Sequence, residues 1–370
     1  MKKSHFLAIS LAFVASLTAQ LFAQTVGSAY SVAVLGDLHY DSEPAEKFHG
    51  KGYNTEEYQR NKAMWEGETP AILAASAKCV GPDTAFVLQL GDLIQGQTKS
   101  YVAHTQMLAE ATSVLKATYP TLPVISIAGN HDVLGNEKPG KAYHNYMLPW
   151  LTAQLAPFAA PAVTNTTFGF RLGKDLWICI NFNNGVATAP IVKKLLDDNP
   201  DVRYTFVTTH GPVLPMDIWK RRWFYLGGDN APANRCRREM RALFAKRNAI
   251  VLSGHVHSLE YKDWYGDGGR ITEMVLNSVP RNTSKMSQKP AVPHVFYDTP
   301  DTYGMWLKTA ETNAANARFE ALYEEYRPGL KSRFAARAVG HHILRVSDSG
   351  VVLEYYGRDA TTPTKIFTLR

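Results

Sequence analysis

The chain has 370 residues, 45% of them apolar and 20% charged, with no low-complexity tract and no internal repeat; the composition is that of a soluble globular protein. The formal charge of +7 includes Lys2 and Lys3, and without them it is about +5. A balance this mildly basic suits a small anionic substrate and argues against a nucleic-acid partner.

Residues 1–24, "MKKSHFLAISLAFVASLTAQLFAQ", run from two lysines through an apolar stretch into small residues. The pattern predicts a secretory signal peptide over 1–23, cleaved after Ala23. Its apolar run is shorter than the ~20 residues a membrane span needs, and no cysteine stands near the cleavage region. The expectation is an exported protein, periplasmic or secreted, with no stable membrane anchor.

From residue 31 onward, short β-rich runs recur. "SVAVLGD" (31–37), "AFVLQLGD" (85–92) and "PVISIAGN" (123–130) come first, then "TFGFRL" (167–172), "LWICINF" (176–182), "YTFVTTH" (204–210) and "AIVLSGH" (249–255). Their nearly unbroken Val/Ile/Leu character predicts strands buried on both faces under helices. Helical patterns at 98–118, 188–199 and 232–247 alternate with them, so the fold class is α/β. Residues 341–359 read as a C-terminal β-hairpin turning at Asp348–Gly350. Residues 281–340, with an Ala/Glu-rich helical stretch around 304–326 stopped by Pro328 and Gly329, read as an insertion in a single domain spanning 24–370. Cys79, Cys179 and Cys236 are an odd set, and Cys179 and Cys236 fall where buried small hydrophobes are expected.

The chemistry gathers at the strand ends. The first strand ends in Asp37 and His39, the second in Asp92, and the third in Asn130, His131 and Asp132. Two later strands end in His210 and in His255 with His257. Any one of these groups alone would be a turn or cap residue. Together, five strand ends carry carboxylates, imidazoles and an amide with no Lys or Arg among them. Buried carboxylates without a basic partner require a cation. Asp37, His39, Asp92, Asn130, His210, His255 and His257 are more donors than one octahedral ion uses. Two ions sharing a carboxylate would use them all, and nitrogen and oxygen donors without thiolate suit Mn, Fe, Zn or Co.

The blocks D-x-H, G-D, G-N-H-D, H and G-H-x-H, in this order from Asp37 to His257, resemble the calcineurin-like metallophosphoesterase superfamily. The resemblance implies a four-layer αββα sandwich and a phosphoric ester hydrolase with two divalent ions. By position, Asp37, His39, Asp92 and His257 would hold one ion, and Asp92, Asn130, His210 and His255 the other, with Asp92 shared. His131 would lie beside the scissile phosphate as general acid or transition-state stabiliser, with Asp132 orienting it. A metal-activated hydroxide would attack phosphorus.

Within the superfamily, "GDLIQG" (91–96) lacks the arginine of the phosphoprotein phosphatases, and Gln95 stands where purple acid phosphatases carry a tyrosine ligand. Phosphodiesterase-like members share D-x-H, GNHD and GHVH and fit best, although Thr209 replaces the histidine that often precedes the second-metal His. The function expected is a phosphodiesterase acting on a small-molecule phosphate ester. The alternatives are a broad phosphomonoesterase and a binding protein that keeps metals without turnover. The stretch "PMDIWKRRWFYLGG" (215–228) directly follows His210, and its Trp219, Arg221, Arg222 and Trp223 are the candidate substrate contacts.

Overall fold

The computed structural model describes residues 28–370 except 43, 54, 216–223, 227–229, 281–320, 323 and 337. The expected signal peptide, Trp219, Arg221, Arg222, Trp223 and most of 281–340 therefore lie outside the described residues.

Six strands form the first sheet: β1 (Tyr30–Leu35), β2 (Thr84–Gln89), β3 (Val124–Ser126), β11 (Gly340–Ser347), β12 (Gly350–Gly357) and β13 (Lys365–Thr368), in the order β13-β12-β11-β1-β2-β3. Seven form the second: β4 (Phe168–Leu172), β5 (Asp175–Ile180), β6 (Thr205–Thr209), β7 (Ile250–Ser253), β8 (Leu259–Gly266), β9 (Gly269–Val275) and β10 (Leu330–Ala336), in the order β10-β8-β9-β7-β6-β5-β4. Each sheet has a parallel half. β1, β2 and β3 are parallel neighbours in one, and β5, β6, β7 and β9 in the other.

The parallel strands show why the chain makes a sandwich. Every residue of β1, β2, β5, β6 and β7 is buried. Along β5, Trp177 and Cys179 join the core shared with the first sheet, while Leu176, Ile178 and Ile180 pack with Val192, Leu196, Met240 and Phe244 of the helices Ala189–Asp197 and Ala231–Lys246. One strand thus serves two cores, as period-two alternation requires. On the other side, Leu73, Met107, Leu108, Leu115, Met147 and Leu151, from the helices Glu68–Cys79, Tyr101–Thr118 and Pro139–Leu155, cover the first sheet. The layers run helix, sheet, sheet, helix.

The two sheets meet through aromatic rings. Trp177 stacks on Phe206 with centroids 4.2 Å apart and meets Phe86 of β2 edge-on at 5.0 Å. Such pairs add about 0.5–1.5 kcal/mol each beyond their area. At the strand starts, the Tyr30 hydroxyl donates to Asp175 Oδ2 at 2.9 Å and accepts from Trp177 Nε1 at 3.1 Å. Arg203 pairs with the same carboxylate at 2.6 Å.

The hairpin is present as β11 and β12. Strand β10 lies within the span read as an insertion, yet it pairs with β8 at the edge of the second sheet, directly after Pro328 and Gly329. All three cysteines are unpaired, with Cys179 and Cys236 buried and Cys79 half-buried. No helix among the described residues is long and apolar enough to cross a membrane.

Candidate active site

Each parallel strand of β1, β2, β3, β6 and β7 ends in a tight loop that carries one block of polar residues to the same end of the sandwich. Open α/β sheets place ligands at such carboxyl ends. The structure brings three groups together, each with its donor atoms within 4.8 Å of one another: Asp37, His39 and His257; His39, Asp92 and His131; and Asp92, His210 and His255. Histidine residues are the only ion-pair partners of Asp37 and Asp92 among the described residues.

The backbone is bent to reach this geometry. His39, Asp92, His255 and His257 all have positive φ, from 46° to 70°. Side chains other than glycine avoid this region, and clustering of such residues marks sites that surrounding structure over-determines. The glycine of "GNHD" is there for space: a Cβ on Gly129 would run into the Asp92 carboxylate. At Gly91, with φ +87°, a Cβ would stand 2.7 Å from His210 Nδ1.

Hydrogen bonds aim the side chains. Asp92 Oδ1 accepts from the His131 backbone N–H at 2.8 Å. That leaves Oδ2 facing both His210 Nε2 at 3.1 Å and His39 Nε2 at 3.7 Å, the position a carboxylate shared by two ions would need. His210 Nδ1 donates to the Leu90 carbonyl at 2.7 Å, and His39 Nδ1 to Gln95 Oε1 at 3.1 Å. A neutral imidazole that donates from one nitrogen presents a lone pair on the other, so both rings offer Nε2 inward. Nitrogens face nitrogens across the cluster: His39 Nε2 to His257 Nε2 at 3.3 Å, and His210 Nε2 to His255 Nδ1 at 3.0 Å. Asn130 Oδ1 is buried and has no hydrogen-bond partner among the described residues. A buried amide oxygen without a partner, in the same loop as His131 of the cluster, fits a divalent cation.

The electrostatics agree. Burial works against ionising Asp37 and Asp92, yet His257 beside the first and His210 and His131 beside the second hold both carboxyls below the usual range. Burial disfavours the His210 imidazolium, but Asp92 and then Asp37 raise its pKa to about 9. Burial, reinforced by His210, brings His255 down to about 3. The proton on His210 supplies positive charge that the carboxylates demand, a demand that a bound ion would meet instead.

Asp132 was expected to orient the His131 ring; its carboxylate instead accepts from the Gly129 N–H at 2.8 Å and the Ile94 N–H at 3.1 Å, tying the GNHD loop to the loop after β2. Burial, with Asp92 adding, pushes this carboxyl up to about 7. The His131 ring is held by the Gln95 carbonyl, to which Nδ1 donates at 2.7 Å. The backbone of a tight turn satisfies Asp132 before the ring can, so its role is to shape the loop.

Several residues at the site were not singled out by sequence reading. Trp65 Nε1 donates to the carbonyls of Leu38 and His39 at 3.2 and 3.1 Å. His104 Nε2 donates to the Asp132 carbonyl at 2.8 Å. Phe182 stands edge-on to His210 and tilted to His255, with centroids at 5.7 and 5.1 Å. Asn183 Nδ2 donates to the Gly129 carbonyl at 2.8 Å. Of the aromatic stretch after His210, Phe224 and Tyr225 are described and buried, and the Tyr225 N–H donates to the Pro212 carbonyl at 2.7 Å.

Residues 30–259 match the calcineurin-like phosphoesterase family, well over half of the chain. No curated protein matches in sequence. Among solved structures the chain is similar to GAP50, the anchor in the inner membrane complex of Plasmodium, at TM-score 0.49 and 13% identity over 92% of this chain and 89% of that one. It is also similar to PhoD, at 0.49 and 12% over 92% and 68%, and to a dimetal phosphatase from Danio rerio, at 0.49 and 10% over 92% and 98%. By class, then, the chain is a phosphoester hydrolase with a mixed α/β, two-sheet fold. It belongs to the calcineurin-like phosphoesterase family, which implies divalent metal ions at the His/Asp cluster.

Proposed function

We propose that the protein is an exported phosphodiesterase of small-molecule phosphate esters that works with two divalent metal ions. The observation that carries the two-metal reading is the Asp37, His39, Asp92, His210, His255 and His257 cluster, with Asp92 Oδ2 between two imidazoles; Asn130 Oδ1, on the loop that carries His131, is buried without a hydrogen-bond partner among the described residues. Asp37, His39, Asp92 and His257 would hold one ion; Asp92, Asn130, His210 and His255 the other. Such a pair, when bound, activates water near neutral pH and neutralises phosphate charge.

The chain's own groups do the rest. Asp37 and Asp92 offset only part of the charge of a divalent pair, so the site stays positive toward a phosphate anion. His131 has Nδ1 committed to the Gln95 carbonyl; as an imidazolium it would donate from Nε2 to the phosphate or to the leaving oxygen. Mn, Fe, Zn and Co all suit these donors. Preference for a diester is supported by the D-x-H, GNHD and GHVH blocks, and export by residues 1–23.

Bis-p-nitrophenyl phosphate and p-nitrophenyl phosphate, each offered with Mn²⁺, test the reading. Faster release from the diester is expected. Faster release from the monoester overturns the diester preference, and no release from either with any divalent metal favours a binding protein. Recovery of the protein from the cytoplasmic fraction with residues 1–23 attached would overturn export.

A further inference from the structure

We infer that Gln95 is a positioning residue that sets His39 and His131 in register with one another, the first through its side chain and the second through its backbone. This deepens the two-metal reading and rests on it. Gln95 is fully buried and sits three residues after Asp92. Its Oε1 lies 3.1 Å from His39 Nδ1, and its carbonyl oxygen lies 2.7 Å from His131 Nδ1. Both acceptors are oxygens without a proton to give. Each ring must therefore donate from Nδ1, which orients it and leaves Nε2 free, as a lone pair on neutral His39 and as the second N–H of His131 when that ring is an imidazolium.

The residue is itself clamped. The Gln95 N–H donates to the Tyr40 carbonyl at 2.9 Å, and Tyr40 bridges to Ile94, so the chain around His39 and the chain around Gln95 are joined on both sides. The following residue, Gly96, has φ +65°, and a Cβ there would run into the His131 carbonyl. The outcome is two imidazoles edge to face with centroids 4.6 Å apart. His39 Nε2 is directed at Asp92 Oδ2 and His257 Nε2. One buried residue, through its side chain and its backbone, thereby couples a candidate ligand of the first ion to the candidate proton donor. Partners of this kind, acting through a ligand histidine, typically govern 10- to 100-fold in metal affinity.

The test is titration of the metal-free full chain with Co²⁺, followed by visible absorbance and calorimetry, for wild type, Gln95→Leu and Gln95→Glu. Wild type is expected to take two equivalents in two steps. Gln95→Leu removes the acceptor and should weaken one step 10- to 100-fold, with a changed absorbance for that step, while the other stays within about twofold. Gln95→Glu restores an acceptor and should return the weakened step to wild-type affinity or better. Equal weakening of both steps, no weakening of either, or failure of Gln95→Glu to rescue would overturn the inference while leaving the two-metal reading intact. Should Gln95→Leu not fold, Gln95→Glu against wild type decides, because a carboxylate on His39 Nδ1 must alter the absorbance of one step only. Wild type that takes up no Co²⁺ defeats the two-metal reading, and the inference with it.

Discussion

The two ends of the sandwich solve the same problem in opposite ways. At the start of β5, Asp175 is completely buried, and Arg203 meets it with two nitrogens, at 2.6 and 3.0 Å, while the Tyr30 hydroxyl and the Tyr204 N–H supply further donors. At the other end, Asp37 and Asp92 are as deeply buried, accept backbone N–H groups of His255 and His131, and have imidazoles as their only ion-pair partners among the described residues. A carboxylate removed from water needs compensating charge. Where the protein provides a guanidinium, the carboxylate belongs to the scaffold; where it provides only imidazoles, the charge comes from a proton that a bound ion can displace. The same sheets carry both ends, so the difference lies in which partner each loop brings.

Breaking the open end should have the largest effect. Asp92→Asn keeps the shape and removes the charge that two ions would share. The several kcal/mol that such ions contribute corresponds to a loss of turnover on the order of 10³-fold, with metal content per chain well below wild type. An Asp92→Asn protein that holds two metals and turns over normally would remove the distinction between the two carboxylates. Breaking the closed end should act on stability instead. Asp175→Ala strands Arg203 and should cost about 3–5 kcal/mol in denaturant unfolding, without changing metal content in the protein that stays folded.

His131 separates ligand from proton donor at the open end. His131→Ala should keep both metals and lose about 10²-fold in turnover. Its donor atoms also lie within reach of His39 and Asp92, so a fall in metal content would make it a ligand and release Asn130 from that role.

Protonation of His210 offers a smaller, pH-dependent test. Its pKa of about 9 in the metal-free protein means the ring carries a proton below that pH, and a metal must displace it. Affinity for the ion at His210 should therefore fall by up to tenfold per pH unit on going from 8.5 to 6.5, with proton release on binding. Calorimetry in buffers of different ionisation enthalpy reads both. Binding that is flat with pH and releases no proton would mean that His210 is already neutral in the metal-free site.

Much of the open end was legible in the sequence because each candidate ligand directly follows an apolar run, usually with a glycine in between. β1, β2, β3, β6 and β7 are buried on both faces, so their runs are unbroken and their ends conspicuous. β8 and β9 were harder to read. Lys262, Glu260 and Glu273 are buried charges that pair with one another across these two strands, and they interrupt the apolar pattern. β10 fell inside the span 281–340 that reads as an insertion in the sequence. The helix Pro139–Leu155 went unread with Pro149 inside it. Gln95, Trp65 and His104 could not be assigned roles from spacing, because each acts through a partner 26 to 56 residues away. Asp132 shows the reverse case: the residue was found, but its hydrogen bonds go to the backbone.

The smallest expected effect concerns aromatic rings, which also serve differently at the two ends. Trp177, midway through the sandwich, is wholly buried between the sheets, and its truncation to alanine should cost stability by about 3–5 kcal/mol. Phe182 is only half-buried, yet it stands against His210 and His255 and is wedged so closely that a Cβ on Gly211 would meet its ring. The adjacent Asn183 ties the same loop to the Gly129 carbonyl, beside His131. A half-buried ring against the cluster can lie against the organic group of an ester. Phe182→Ala should then raise KM for bis-p-nitrophenyl phosphate by roughly two- to tenfold, the scale of one aromatic contact, with kcat little changed. The same change should leave KM for a small alkyl ester close to wild type, because that substrate has no ring to stack. Equal losses for both substrates, or a fall in metal content, would make Phe182 a support for the histidines and place the ester's organic group elsewhere.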